Sequence, residues 1–102
     1  MSSPRYDWWG YVKAIIRRYP TLKDRDVSGI SKREKDAVQE AIKTVENMSN
    51  GMDVLAIIDM VFWKRTHTLS GAALQIPCSE RTAQEYHRQF IRLVAKNFGL
   101  ME

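Results

Sequence analysis

Cysteine is nearly missing from this chain of 102 residues: Cys78 stands alone. No disulfide can form within the chain, and the composition fits a reducing cytoplasm. There is no N-terminal apolar segment of the signal-peptide kind and no run of eighteen or more apolar residues, so the expectation is neither secretion nor a membrane partner. The motifs of catalysis are missing too. No glycine-rich phosphate loop, no G-x-S-x-G and no H-E-x-x-H occurs. Two histidines, His67 and His87, stand too far apart in sequence for a local metal pair. Cys78 reads as a small apolar thiol at a packing position rather than a nucleophile served by His87. Asp53 and Asp59 lack the partners of an acid–base pair. The expectation is a chain that is not an enzyme, with no catalytic residue, no metal and no cofactor. Alternating apolar–polar runs bounded by Asn-Gly or Asp-Gly are absent as well, which excludes β-hairpins.

What the chain does contain is helical period and positive charge. Its hydrophobic share of 44% and charged share of 27% are those of a globular protein, at a length that suits a single domain over 1–102. Net charge is +4 and the isoelectric point is about 9.4, which suits a polyanionic partner. The charge is uneven. Residues 1–35 carry nine Lys and Arg against four acids, 36–62 carry one against five, and 63–102 carry six against three.

The apolar spacing predicts an all-α fold of four to five helices, arranged as an N-terminal part (1–50) and a C-terminal part (52–102). Residues 1–5 read as a frayed terminus. A first helix is expected over 8–19, capped by Asp7 and ended by Pro20, with Trp8, Val12, Ile15, Ile16 and Tyr19 on its buried face. Lys13, Arg17 and Arg18 fall on its polar side, and Gly10 offers room for a neighbouring helix. Residues 21–30 read as a connector. Ser31 and Glu34 have the spacing of a capping box opening a helix over 32–48, closed by Asn50 or Gly51 in a left-handed conformation. Asp53 should cap a further helix over 54–65 that is apolar nearly all round, hence buried and central.

Residues 68–98, TLSGAALQIPCSERTAQEYHRQFIRLVAKNF, carry the functional signal. Thr68 or Ser70 can cap a short helix, Pro77 forces Ile76 out of helical backbone angles, and Ser79 caps a long helix with Glu80 in its first turn. Two helices joined by so short a turn make a helix-turn-helix. Ala72, Ala73, Ile76, Cys78, Ala83 and Tyr86 fall where the two helices would cross. Arg81, Glu85, Arg88, Arg92 and Lys96 form a polar stripe on the outside. In the DNA-binding use of this motif, the first residues of the second helix reach base edges in the major groove. Ser79, Glu80, Arg81, Thr82, Gln84, Glu85 and Arg88 have suitable chemistry: Arg for guanine, Gln for adenine, Glu for the amino group of cytosine. Lys64 and Arg65, at the end of the central apolar helix, could reach a phosphate, and Arg92, Arg65 and Thr68 complete the candidate DNA-binding residues. A helical hairpin with a merely solvated charged face remains the plain alternative.

The run LAIIDMVFWKRTHTLSGAALQIPCSERTAQEYHRQFIRLVAKNFGL resembles the C-terminal half of the RinA/ArpU-type phage transcriptional regulators. The likeness rests on an apolar helix with an aromatic and basic tail at 61–65, Thr-Leu followed by Ala-Ala, Ser-x-Arg-Thr, and a closing Phe-Ile-x-Leu-Val-Ala with terminal Gly-Leu. WWGYVKAIIRRYP resembles the opening of those proteins, and residues 21–31 match least. The resemblance implies a sigma region 4-like helix-turn-helix on promoter DNA, regulating late phage or prophage genes in the cytoplasm of a bacterial host. Ser79, Arg81 and Thr82 would then begin the recognition helix, with Gln84, Glu85 and Arg88 extending its DNA face. Pro77 stands where many such motifs have Gly, and Glu80 and Glu85 place negative charge near phosphates. The expected partner is double-stranded DNA. A dimer on paired half-sites is common for this motif, and RNA polymerase is a partner that Glu80, Glu85 or the aromatic N-terminal helix could contact instead. Two other readings stay open: an adaptor of RNA polymerase or a sigma factor, which would need no DNA, and a small-terminase-like packaging protein, which would need a ring-forming segment.

Overall fold

The computed structural model describes residues 7–76 and 78–100, so the expected frayed terminus at 1–5 and Pro77 itself lie outside the described residues. Five helices follow one another: α1 (Trp9–Leu22), α2 (Ile30–Glu46), α3 (Gly51–Ile58), α4 (Leu69–Gln75) and α5 (Glu80–Phe98). No strand occurs among the described residues. The all-α architecture is as the apolar period predicts. No helix among the described residues is long and apolar enough to cross a membrane.

One hydrophobic core draws on both halves of the chain. Val12, Ile15, Ile16 and Tyr19 of α1 meet Val38, Ala41 and Val45 of α2, Val54 and Ile58 of α3, and Phe90, Ile91 and Val94 of α5. Each fully buried aliphatic or aromatic side chain contributes roughly 1.5–3 kcal/mol. A second, smaller cluster joins Ile57 of α3 to Ala72 and Ala73 of α4 and Ala83 of α5. α3 therefore sits between the bundle and the helix-turn-helix, with apolar residues serving both sides.

Several boundaries differ from the expectation, each for a tertiary reason. α1 does not stop at Pro20 but runs through it to Leu22. Proline has no N–H to give to the carbonyl four residues back, which here is Ile16. The indole Nε1–H of Trp63 donates to that carbonyl at 2.8 Å instead. A donor from far along the chain thus completes the helix that proline leaves open. Asp7 does not cap α1; Trp8 occupies the cap position, and no side chain caps the first turn. Gly10 has open space around it and admits no neighbouring helix.

The expected capping box on α2 is not formed. The helix starts earlier, at Ile30, after Gly29 in a positive-φ conformation (φ 65°), and no side chain caps it. Glu34 is instead buried, accepting from the Tyr11 hydroxyl at 2.7 Å and from Arg18 Nη2 at 3.1 Å. Partial burial first, and the Glu34 hydrogen bond next, raise the Tyr11 phenol above its ordinary value. Neither Asn50 nor Gly51 takes a left-handed conformation, since the backbone tightens at Asn47 and Gly51 already opens α3. Gly51 is needed for closeness: a Cβ there would collide with the backbone carbonyl of Val45.

The central apolar helix begins at Gly51, without a cap from Asp53, and is not one α-helix to residue 65. After Ile58 it widens into a π-helical turn, Asp59–Trp63. Arg65 follows in a left-handed conformation (φ 55°), and the backbone N–H groups of Thr66 and His67 both donate to the Met60 carbonyl. The widened turn buries Phe62 and leaves Trp63 at α1, where it caps Ile16.

Candidate nucleic-acid interface

α4 and α5 form the helix-turn-helix with both caps made by the expected hydroxyls. Thr68 Oγ1 accepts from the Gly71 N–H at 3.1 Å, and Ser79 Oγ accepts from the Thr82 N–H at 3.1 Å. Each such cap is worth about 1 kcal/mol. Ile76 is extended (φ −98°, ψ 122°), as a residue before proline should be. Ala72, Ala73 and Ala83 are buried where the helices cross, and Ile76, Cys78 and Tyr86 pack around them. Small side chains there let α4 and α5 approach closely.

The candidate contact residues divide by what already occupies them. Glu80 is engaged: its Oε2 accepts from Ser70 Oγ at 2.7 Å, which ties the start of α5 to α4. Ser79 and Thr82 hydroxyls bond each other at 3.0 Å as part of the cap. Glu85 pairs with Arg88 at 3.5 Å, an exposed contact of small worth. Arg81, Gln84 and Arg92 are exposed on α5, and among the described residues Arg81 and Arg92 make no ion pair. The chemistry left available near the start of α5 is therefore that of Arg81 and Gln84, with Arg88 and Arg92 behind them. Arg65 is exposed in the link between α3 and α4, and no hydrogen bond or ion pair among the described residues joins it to α5. Thr68 serves as a cap, so its hydroxyl oxygen is already used by the fold.

His87 has a different office. Its ring stacks on Phe62 with centroids 5.1 Å apart and planes within 3°. Burial, then the nearby charges of Lys13, Arg88 and Arg17, lowers its pKa from 6.5 to about 4, so the ring is neutral at pH 7. Lys13 and Arg17 of α1 therefore lie beside α5. Sequence reading placed them only on the polar side of α1; their spacing of four residues is the signal that they share a flank. Among the described residues no three His, Cys, Asp or Glu side chains gather as a metal site. No protein-family model, curated protein or solved structure matches the chain.

Proposed function

We propose that this protein is a sequence-specific DNA-binding transcription regulator of the RinA/ArpU type, acting on phage or prophage promoters through a sigma region 4-like helix-turn-helix. The observation that carries the reading is the capped α4–α5 pair, joined by residues 76–79, with Arg81 and Gln84 exposed near the start of α5. A base-reading helix needs this arrangement: an exposed N-terminal end with bidentate donors, held by caps and a small-residue crossing. Lys and Arg side chains would neutralise phosphates and set the register, while Arg81 and Gln84 would read bases.

The test is a fluorescence titration against randomised duplex DNA at two salt concentrations, with sequencing of the retained pool. A steep salt slope with an enriched sequence supports the reading. Arg81→Ala should then cost about 1–3 kcal/mol at the enriched site with the thermal midpoint unchanged. Equal affinity of variant and parent would count against it. A steep slope without enrichment would favour a packaging role. A second reading, an adaptor touching RNA polymerase, draws on two large apolar side chains left open to solvent: Leu74 on α4, 85% exposed, and Met52 on α3, 88% exposed. It predicts no duplex binding and loss of polymerase capture in Leu74→Ser.

A further inference from the structure

α1 divides its polar side chains between two neighbours. Val12, Ile15, Ile16 and Tyr19 form its buried stripe, and at about 3.6 residues per turn the remaining positions fall on two flanks. Tyr11 and Arg18 lie on one flank, and both reach Glu34 of α2. Lys13 and Arg17 lie on the other. There α5 supplies His87, held against Phe62, and its neighbour Arg88.

α1 and α5 pack together through one core, Val12, Ile15 and Ile16 against Phe90, Ile91 and Val94, so the Lys13 and Arg17 flank of α1 adjoins α5, and their charges act on the His87 ring together with that of Arg88. α1 contains no acidic residue that could balance them. Among the described residues neither Lys13 nor Arg17 makes an ion pair, and Arg88 has only its exposed contact with Glu85. Like charges brought together without a counter-charge repel, and an anion placed among them removes that repulsion. The level of the cluster on α5 is informative. Arg88 follows Arg81 by two helical turns, about 10 Å along the axis, so the two fall on one face of α5. With Arg81 at the base edges, Arg88 lies farther along the same helix with its α1 neighbours beside it, where side chains of a recognition helix meet the flanking backbone.

We infer that Lys13 and Arg17 of α1 join Arg88 of α5 in a phosphate-contacting surface that seats duplex DNA beside the base-reading end of α5. This rests on the reading of α5 as a DNA-reading helix. The surface positions the duplex and carries no sequence preference of its own, so α1 acts as a docking arm as well as a core helix.

The experiment compares the parent with Lys13→Gln, Arg17→Gln, the double variant and Lys43→Gln, an exposed charge loss on α2 opposite that helix's buried stripe. Affinity for the enriched duplex is measured between about 50 and about 200 mM salt. Each α1 variant should lower the salt slope by about 1 and the double variant by about 2, with affinity falling alike on all sequences. The enriched sequence and the thermal midpoint should stay as in the parent, and Lys43→Gln should leave the slope alone. Steep binding by the parent with an unaltered slope in the double variant overturns the inference while leaving the α5 reading intact. No duplex binding by the parent at low salt overturns both. Loss of binding to anionic phosphatidylserine vesicles, with duplex binding unaltered, would assign the surface to a membrane and overturn it as well. If the double variant melts early, Arg17→Gln alone, at an exposed position, decides the matter by its slope.

Discussion

The bundle made by α1, α2 and α5 and the end of the molecule made by α4 are held by different means. The bundle interlocks large side chains, Phe90, Ile91 and Val38 among them, with Phe62 of the π-helical turn, and long-range polar contacts close its gaps: Trp63 of that turn to Ile16, Arg18 and Tyr11 to Glu34, Asn97 to the Ala37 carbonyl. α4 rests on a few buried alanines, Ile57, two hydroxyl caps and the Ser70–Glu80 bond. Burial of large groups stabilises far more than a cap does. Damage to the bundle should therefore be read out as lost stability, whereas changes at the outer face of α5 should be read out in binding with the fold intact.

Phe90→Ala offers the severest test of that contrast. Phe90 is fully buried and meets Trp63 edge to face at 6.3 Å between centroids. Its truncation should cost about 3–5 kcal/mol in chemical denaturation. A cost as small as that of a surface change would mean that the bundle is not the source of stability.

Acid provides the next largest effect. More than about one pH unit above 6.5, His87 is neutral folded or unfolded and contributes nothing to pH dependence. As pH falls below that value, the unfolded chain takes up a proton that the folded site refuses, because the folded pKa is lowered to about 4. Stability should fall through this window by on the order of 3 kcal/mol and level off below it. Carboxylates titrate in the lower part of the same range, so the quantity to measure is the difference between the parent and His87→Phe, which keeps a ring against Phe62. Parallel stability profiles would remove His87 from the account.

A smaller effect isolates the Pro20 gap. Trp63→Phe keeps most of the ring volume but leaves the Ile16 carbonyl without its donor, at a cost of about 1–3 kcal/mol. In a Pro20→Ala background the alanine N–H can supply the missing bond, so the same change should cost less by about 1 kcal/mol. Additive costs in this cycle would show that the indole acts by packing alone.

These same positions explain what the sequence does and does not disclose. The helix-turn-helix was legible because its signals are local: Thr68 and Ser79 cap residues three positions on, and Ile76 obeys its neighbour Pro77. The candidate readers Arg81 and Gln84 follow from that frame, being exposed residues next to a cap. The passage of α1 through Pro20 was not legible, because the compensating donor lies 47 residues from Ile16. The capping box failed for a similar reason, since Glu34 is taken by α1. The π-helical turn left no trace in a segment apolar on nearly every face, where a change of period alters no pattern. Glu80 looked like a reader until its partner Ser70 came close in space. Lys13 and Arg17 were visible as cations, but which helix they flank is set by packing.

The smallest effect on the fold belongs to Glu85, and it sharpens the contrast from the binding side. Its pairing with Arg88 is exposed, and such pairs are worth about 0.3–0.5 kcal/mol, so Glu85→Gln should leave denaturation curves almost unmoved. Binding should respond in the opposite direction from a damaged core. If the proposed function holds, removing the carboxylate frees Arg88 for phosphate and takes a negative charge away from the DNA-facing stripe, so affinity for duplex should rise about two- to fivefold, less than about 1 kcal/mol. If Glu85 instead accepts from the amino group of a cytosine, the variant should lose affinity and the selected sequence should change at one position. Titration of both proteins on the same duplex, with a repeat of the selection, separates a carboxylate that restrains Arg88 from one that reads a base.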